Sequence, residues 1–160
     1  MRLTLHTDYA LRTLIFVGLR PGRLASIAEI SAAYRISENH LTKVVHGLGR
    51  AGFLETVRGR GGGLRLARSA ESIRVGDVVR ATEEDMALVA CFPGTTAPGV
   101  APCLIAGTCR LTSVLADALG AFMAVLDGVT LQDLLAPRQQ ALRALLGLEA
   151  DSPGGQLSNA

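Results

Sequence analysis

Four glycines in five residues, Gly59-Arg60-Gly61-Gly62-Gly63, stand between two short stretches of alternating apolar and polar residues, and few local structures accommodate such a run. A helix does not cross it, because each interior glycine costs about 1 kcal/mol relative to alanine, and a strand interior is weakened by glycine in the same way. The run reads as the turn of a β-hairpin with arms Phe53-Leu54-Glu55-Thr56-Val57-Arg58 and Leu64-Arg65-Leu66-Ala67. Glycine lets such a tip approach another surface closely. Arg58, Arg60 and Arg65 place positive charge around it.

Three helices precede the hairpin. The first is expected over Thr7 to Leu19, with Thr7 as N-cap and Asp8 in the first turn, where the helix dipole favours an anion. Ala10, Leu11, Leu14, Ile15 and Phe16 supply its buried face, and Pro21 and Gly22 end it. Ser26-Ile27-Ala28-Glu29 is a capping box that opens a short second helix running to about Tyr34. Ser37 caps a third helix from Glu38 to about Gly49, with Leu41, Val44, Val45 and Leu48 inside and Asn39, His40, Thr42, Lys43 and His46 outside. Helix, helix, turn, helix and basic hairpin is the order of a winged helix-turn-helix. The expected fold class is therefore mainly α with a small β-hairpin wing.

Ser72 to Val75 reads as an extended link into a helix from Gly76 to about Glu84, and this element closes a DNA-binding domain over residues 1–84. Residues 85–110 form a loop carrying Cys91, Cys103 and Cys109, rich in Pro, Gly, Ala and Thr. From Leu111 a helix shows two apolar stripes, Leu111, Leu115, Leu119, Phe122 and Leu126 beside Val114, Ala118, Ala121 and Val125. That face is too wide for a solvated helix, so packing against a symmetry mate is expected in addition to packing within the chain. Thr130-Leu131-Gln132-Asp133 resembles another capped start, and residues 111–135 are assigned to the dimerisation helix and a short following helix. Residues 136–160 form a C-terminal tail in which Ala141 to Leu148 adds a turn or two and the last ten residues are frayed.

The chain of 160 residues, 49% hydrophobic and 19% charged, suits one globular unit or a small domain with an appendage. It has no apolar run long enough for a membrane span and no export signal, so a cytoplasmic protein is expected. Its net charge of +2 is unevenly spread. Met1 to Arg80 holds thirteen Lys and Arg against six Asp and Glu, whereas Ala81 to Ala160 holds three against eight. The basic half suits double-stranded DNA, and the acidic, apolar-striped half suits protein contacts. No serine-histidine-acid set, phosphate loop or paired catalytic carboxylate stands out, so no enzymatic site is expected.

The third helix, set in a major groove, offers Ser37, Asn39, His40, Thr42 and Lys43 to bases and phosphates. Asn39 suits adenine, and Lys43 suits guanine or phosphate. Arg58 and Arg60, with Gly61 and Gly62 between them and the second arm, suit the DNA backbone or a narrow minor groove. Three cysteines in a chain without an export signal are a poor disulfide framework. Gathered on one loop they suit an iron-sulfur cluster or zinc, each usually held by four ligands. No histidine follows His46, so the fourth ligand is a local carboxylate, solvent or a residue of the other half, with His6 and Asp8 as candidates. An electron carrier would not need the basic wing, whereas a zinc or thiol-based regulator and an iron-sulfur regulator both would.

Met1-Arg2-Leu3-Thr4, Thr7-Asp8-Tyr9-Ala10-Leu11-Arg12, Ile36 to Lys43, Val57 to Gly63 and Ile73 to Val79 resemble the iron-sulfur winged-helix regulator family of IscR and NsrR relatives, in its nitric oxide-sensing branch. The similarity runs from Met1 to about Leu135. It implies a homodimeric winged-helix repressor on a two-fold operator, whose four-iron four-sulfur cluster makes it respond to nitric oxide. It further implies Cys91, Cys103 and Cys109 as cluster ligands, with Asp8 donated by the partner subunit. The chain departs from the family in the spacing of its first two cysteines, which Phe92 to Pro102 lengthens with a Pro, Gly and Thr-rich excursion. In the two-iron branch the resemblance would place a histidine shortly after the last cysteine, and Thr112 stands there instead.

Overall fold

A computed structural model describes residues 2–92, 103–105 and 108–148 of the chain. Seven α-helices and one hairpin are seen among these residues, in the order α1 (Leu5–Gly18), α2 (Ile27–Tyr34), α3 (Glu38–Arg50), β1 (Leu54–Val57), β2 (Gly63–Leu66), α4 (Val75–Thr82), α5 (Leu111–Asp127), α6 (Leu131–Leu135) and α7 (Gln139–Leu145). Short 3-10 turns over Ala70–Ser72 and Ala136–Arg138 join β2 to α4 and α6 to α7. The expected class, mainly α with a hairpin wing, is the one observed.

Local chemistry accounts for most of the helix starts. Ser26 and Glu29 form the reciprocal capping box at α2, and Thr130 and Asp133 repeat it at α6. The Ser37 side chain accepts from His40 N at α3. Between α2 and α3 the chain turns through Arg35 at φ 55°, the one non-glycine residue with positive φ among the described residues. The Ser31 hydroxyl donates to Ile36 O at 2.7 Å and closes that turn from inside. The first helix departs from expectation: its N-cap is Thr4, not Thr7, and it begins at Leu5. Thr7 is fully buried, and its hydroxyl meets Thr82 Oγ1 at 2.8 Å and donates to Glu83 Oε1 at 2.5 Å. A cap position faces solvent, whereas Thr7 is claimed by the far end of α4.

The core centres on α1, which contacts α3, α4, α6 and β2. Ala10, Leu14, Phe16 and Val17 are buried on its inner side, while Leu11 and Ile15 are half-buried. The four inner residues predicted for α3, Leu41, Val44, Val45 and Leu48, are all buried. Leu131, Leu135 and Leu148 join the same cluster, so the segments after α5 return to the winged domain. The return is anchored by Arg143, which donates to Leu19 O at 2.7 Å and to Leu148 O at 3.1 Å. The frayed end expected over the last ten residues lies outside the described residues.

On α5 the two stripes part company. Leu115, Leu119, Phe122 and Leu126 are half-buried against the chain, whereas Val114, Ala118, Ala121 and Val125 are exposed and no residue of the helix is fully buried. Val125 leaves 68% of its surface open and Val114 54%, too much for the outer side of an ordinary surface helix.

Beneath the turn between α1 and α2, the nearly buried Arg20 donates from Nη2 to Glu29 Oε1 at 2.8 Å and lies 5.4 Å from the centre of the Phe16 ring. That hydrogen bond, against a smaller opposing effect of burial, holds the Glu29 carboxyl down to about 2. Because the folded value lies below the ordinary 4.5, the contribution is present above pH 4.5 and is lost as the pH falls towards 2. Glu29→Ala removes both the ion pair and half of the capping box. It is expected to lower unfolding free energy by about 1–3 kcal/mol at neutral pH and to flatten the fall in stability below pH 4.5, read by urea titrations across pH.

Candidate functional site

The candidate recognition surface is built by α3 and the wing. The apolar side of α3 is fixed in the core, so the residues between its core positions face outward by periodicity. Ser37, Asn39, His40, Thr42, Lys43 and His46 are all exposed. Two have part of their hydrogen-bonding capacity committed: Ser37 caps the helix, and the Thr42 hydroxyl donates to Glu38 O at 2.8 Å. The imidazole of His40 stands 6.1 Å from the Tyr9 ring, which orients it from the side of α1. Asn39, Lys43 and His46 have no side-chain hydrogen bond or ion pair among the described residues, so their polar groups are open to a partner.

The helix passes straight into the wing, with Phe53 N donating to Leu48 O at 2.9 Å. The hairpin is antiparallel, pairing Leu54 with Leu66 and Val57 with Gly63. Its tip needs its glycines: Gly59 and Gly61 have φ of 103° and 81°, and a Cβ on Gly62 would collide with the Val57 carbonyl oxygen. Arg58 and Arg60 are exposed. Arg65 is not part of the free charge, since it pairs across the strands with Glu55 at 2.9 Å. Alternation alone does not reveal that pairing, because it depends on the register of the turn.

The three cysteines are free thiols. Cys91 and Cys109 are half-buried and Cys103 is exposed. Cys91 Sγ lies 3.6 Å from Thr112 Oγ1, bringing it to the first turn of α5, just beyond Cys109. Residues 93–102, most of the insertion between the first two cysteines, lie outside the described residues. No three His, Cys, Asp or Glu side chains gather into a cation-sized cluster among the described residues of one chain. Asp8 is turned to the surface of α1, where Arg12 Nε donates to its Oδ1 at 3.0 Å. His6 sits against Gly47 of α3, with Nε2 3.6 Å from where a Cβ would be.

Two residues at this end of the molecule carry more than the sequence suggested. Arg12 joins Asp8 to α2, its guanidinium standing 5.8 Å from the Tyr34 ring. The i, i+4 spacing of Asp8 and Arg12 was a readable signal for the first half of that link. Glu83 has no such signal. It accepts from Thr4 N at 2.8 Å and from the hydroxyls of Thr4 and Thr7, and so ties the start of α1 to the segment leading to Cys91. Burial raises the Glu83 carboxyl, but these hydrogen bonds outweigh it and hold the group below its ordinary value.

The family model of Rrf2, described as an iron-dependent transcriptional regulator, matches residues 3–137. The HTH-type transcriptional regulator NsrR of Bacillus subtilis (strain 168) is 47% identical over 146 residues, covering 91% of this chain and 97% of that protein. Among solved structures, IscR of T. potens aligns with a TM-score of 0.68 at 25% identity over 88% of this chain and 90% of that one. CymR, the global cysteine regulator of B. subtilis, aligns at 0.64 and 25% over 84% and 95%. These relatives are regulators and not enzymes, in agreement with the sequence reading. No helix among the described residues is long and apolar enough to cross a membrane.

On a DNA duplex, Lys43→Ala is expected to weaken binding similarly for all sequences and to reduce the salt dependence by about one counterion. Asn39→Ala is expected to cost about 1–3 kcal/mol at one base pair and to relax specificity there. Anisotropy titrations at several salt concentrations, on matched and singly altered sites, separate the two.

Proposed function

The chain belongs to the Rrf2 family of transcriptional regulators, and from that premise we propose that it is a cytoplasmic, homodimeric repressor. It binds a two-fold operator and answers nitric oxide through an iron-sulfur cluster of the four-iron type. The observation that carries this reading is the set of three free thiols, two of them flanking the start of α5, in a chain closely similar to proteins named NsrR. Soft thiolates suit iron in such clusters, and no disulfide competes for them.

Cys91, Cys103 and Cys109 would hold the cluster, with Asp8 of the other protomer as fourth ligand. The donor set fits: one chain supplies three sulfurs and no local imidazole, while Asp8 is about 41% exposed on α1 and accessible to a neighbour. When bound, the cluster supplies iron with which nitric oxide can combine. The hard carboxylate is the weaker of the two ligand types for such iron. Asp8 also has a second partner at hand in Arg12. A carboxylate drawn towards the cysteine loop leaves Arg12, and one released from it returns, so the pair on α1 reports occupancy to Tyr34 of α2 and through α2 to the recognition helix.

The open stripe of α5 supports the dimer. Val114, Ala118, Ala121 and Val125 present an apolar face that a second copy covers, at about 25 cal/mol for each Å² removed from water. Two winged domains related by that axis require an operator with matching symmetry.

Anaerobic purification should give a brown protein containing iron and sulfide, whose visible absorption and operator affinity both fall on addition of nitric oxide. A colourless, zinc-loaded protein, or loaded and stripped samples with equal operator affinity, would overturn the proposal. Asp8→Ala is expected to purify with an altered visible spectrum and an abnormal nitric oxide titration while remaining folded.

A further inference from the structure

The far end of α5 is fastened to α4 by a seam whose chemistry the proposed sensing does not use. Arg80 of α4 donates from Nη1 to Asp127 Oδ1 at 2.7 Å and from Nη2 to Asp127 Oδ2 at 2.5 Å, a two-pronged fork that defines direction as well as distance. The carboxylate sits directly over Gly76, where a Cβ would overlap Asp127 Oδ1 and come within 3.2 Å of the Asp127 backbone nitrogen. Gly76 is buried in the first turn of α4, so the residue provides space for Asp127 at a helical position where glycine is ordinarily unfavourable. Next to it the main chains are stitched together. Val75 N donates to Val129 O at 2.9 Å, Leu131 N donates to Ile73 O at 2.8 Å, and Arg74 pairs with Thr130 as an antiparallel bridge.

As a source of stability this pair is unremarkable, since Arg80 and Asp127 remain 47% and 32% exposed and exposed ion pairs contribute little. As a device for direction it is well made: a fork, a notch beneath it and backbone bonds beside it all fix the same joint. We propose that Arg80, Asp127 and Gly76 form a latch that sets the angle at which the winged domain leaves α5. The latch thereby sets the separation of the two recognition helices on an operator. Arg80 and Asp127 are thus positioning residues for operator binding.

The inference rests on the α5-mediated dimer proposed above. Half-sites of such motifs lie about 34 Å apart, so a tilt of about 5° at the joint moves each recognition helix by on the order of 1–2 Å. That is enough to misalign side chains with base edges.

The test uses full-length, cluster-loaded protein and its preferred operator, selected in vitro from a random two-fold pool, alongside the same operator with one base pair inserted at its centre. Wild type should bind the inserted site at least about tenfold more weakly. Asp127→Asn removes the fork, and Gly76→Ala displaces the carboxylate while leaving both charges in place. Each should bind the preferred operator about tenfold more weakly and discriminate the inserted site by less than about threefold, with affinity for random DNA, dimer mass and visible absorption unchanged. The proposal is overturned if both variants keep the wild-type affinity and spacing preference, or lose affinity for all DNA in parallel with a fall in Tm. It is overturned equally if wild type shows no spacing preference. Loaded and nitric oxide-treated wild type binding the preferred operator equally would sink the sensing function alone, because the spacing result would still decide the latch.

Discussion

Burial of one face of α1 is the constraint to which the other elements are referred. Ala10, Leu14, Phe16 and Val17 are buried on the helix that packs against α3, α4, α6 and β2. The proposed recognition helix is therefore held against the same rod that displays Asp8 on its outer side. A displacement of α1 is felt at α3 because interiors are close-packed and transmit strain. The polar groups at the two ends of α1 reinforce this position. Glu83 gathers Thr4 and Thr7 at the start, and Arg143 holds the carbonyl of Leu19 at the finish.

Local signals in the sequence were reliable where the interaction itself is local. Both capping boxes, the Ser37 cap, the inner face of α3 and the glycine-rich turn are decided within a few residues, and each is found as read. The cap of α1 lies three residues before the one that local signals favour, because a partner 76 residues away claims the Thr7 hydroxyl and leaves the cap to Thr4. Arg65 looked like free charge for a related reason: its neutralisation by Glu55 depends on strand register, which composition does not reveal. The same limit hid the joint between Arg80 and Asp127, where Gly76 carried no legible mark of its purpose.

The exposed residues expected to meet DNA are exposed in the structure, and the residue types at the cysteine loop were legible from the sequence alone. Among the described residues of one chain no ligand set is gathered, and Asp8 is paired with Arg12 on α1. The proposed site, shared between subunits, would be built in this way: each chain holds part of the ligand set, and the residue types point to a chemistry that needs both. In the proposed dimer, twofold symmetry would bring one Asp8 to each cysteine loop.

The uncovered stripe of α5 ties this protein's behaviour to its abundance. A chain that leaves Val114 and Val125 in water as a monomer gains stability by mass action when it meets another copy. Below the dissociation constant of that pairing, the population able to span both operator halves rises with the square of copy number. A cell could then tune the sharpness of repression through synthesis rate alone, independently of the sensing proposed for the thiols.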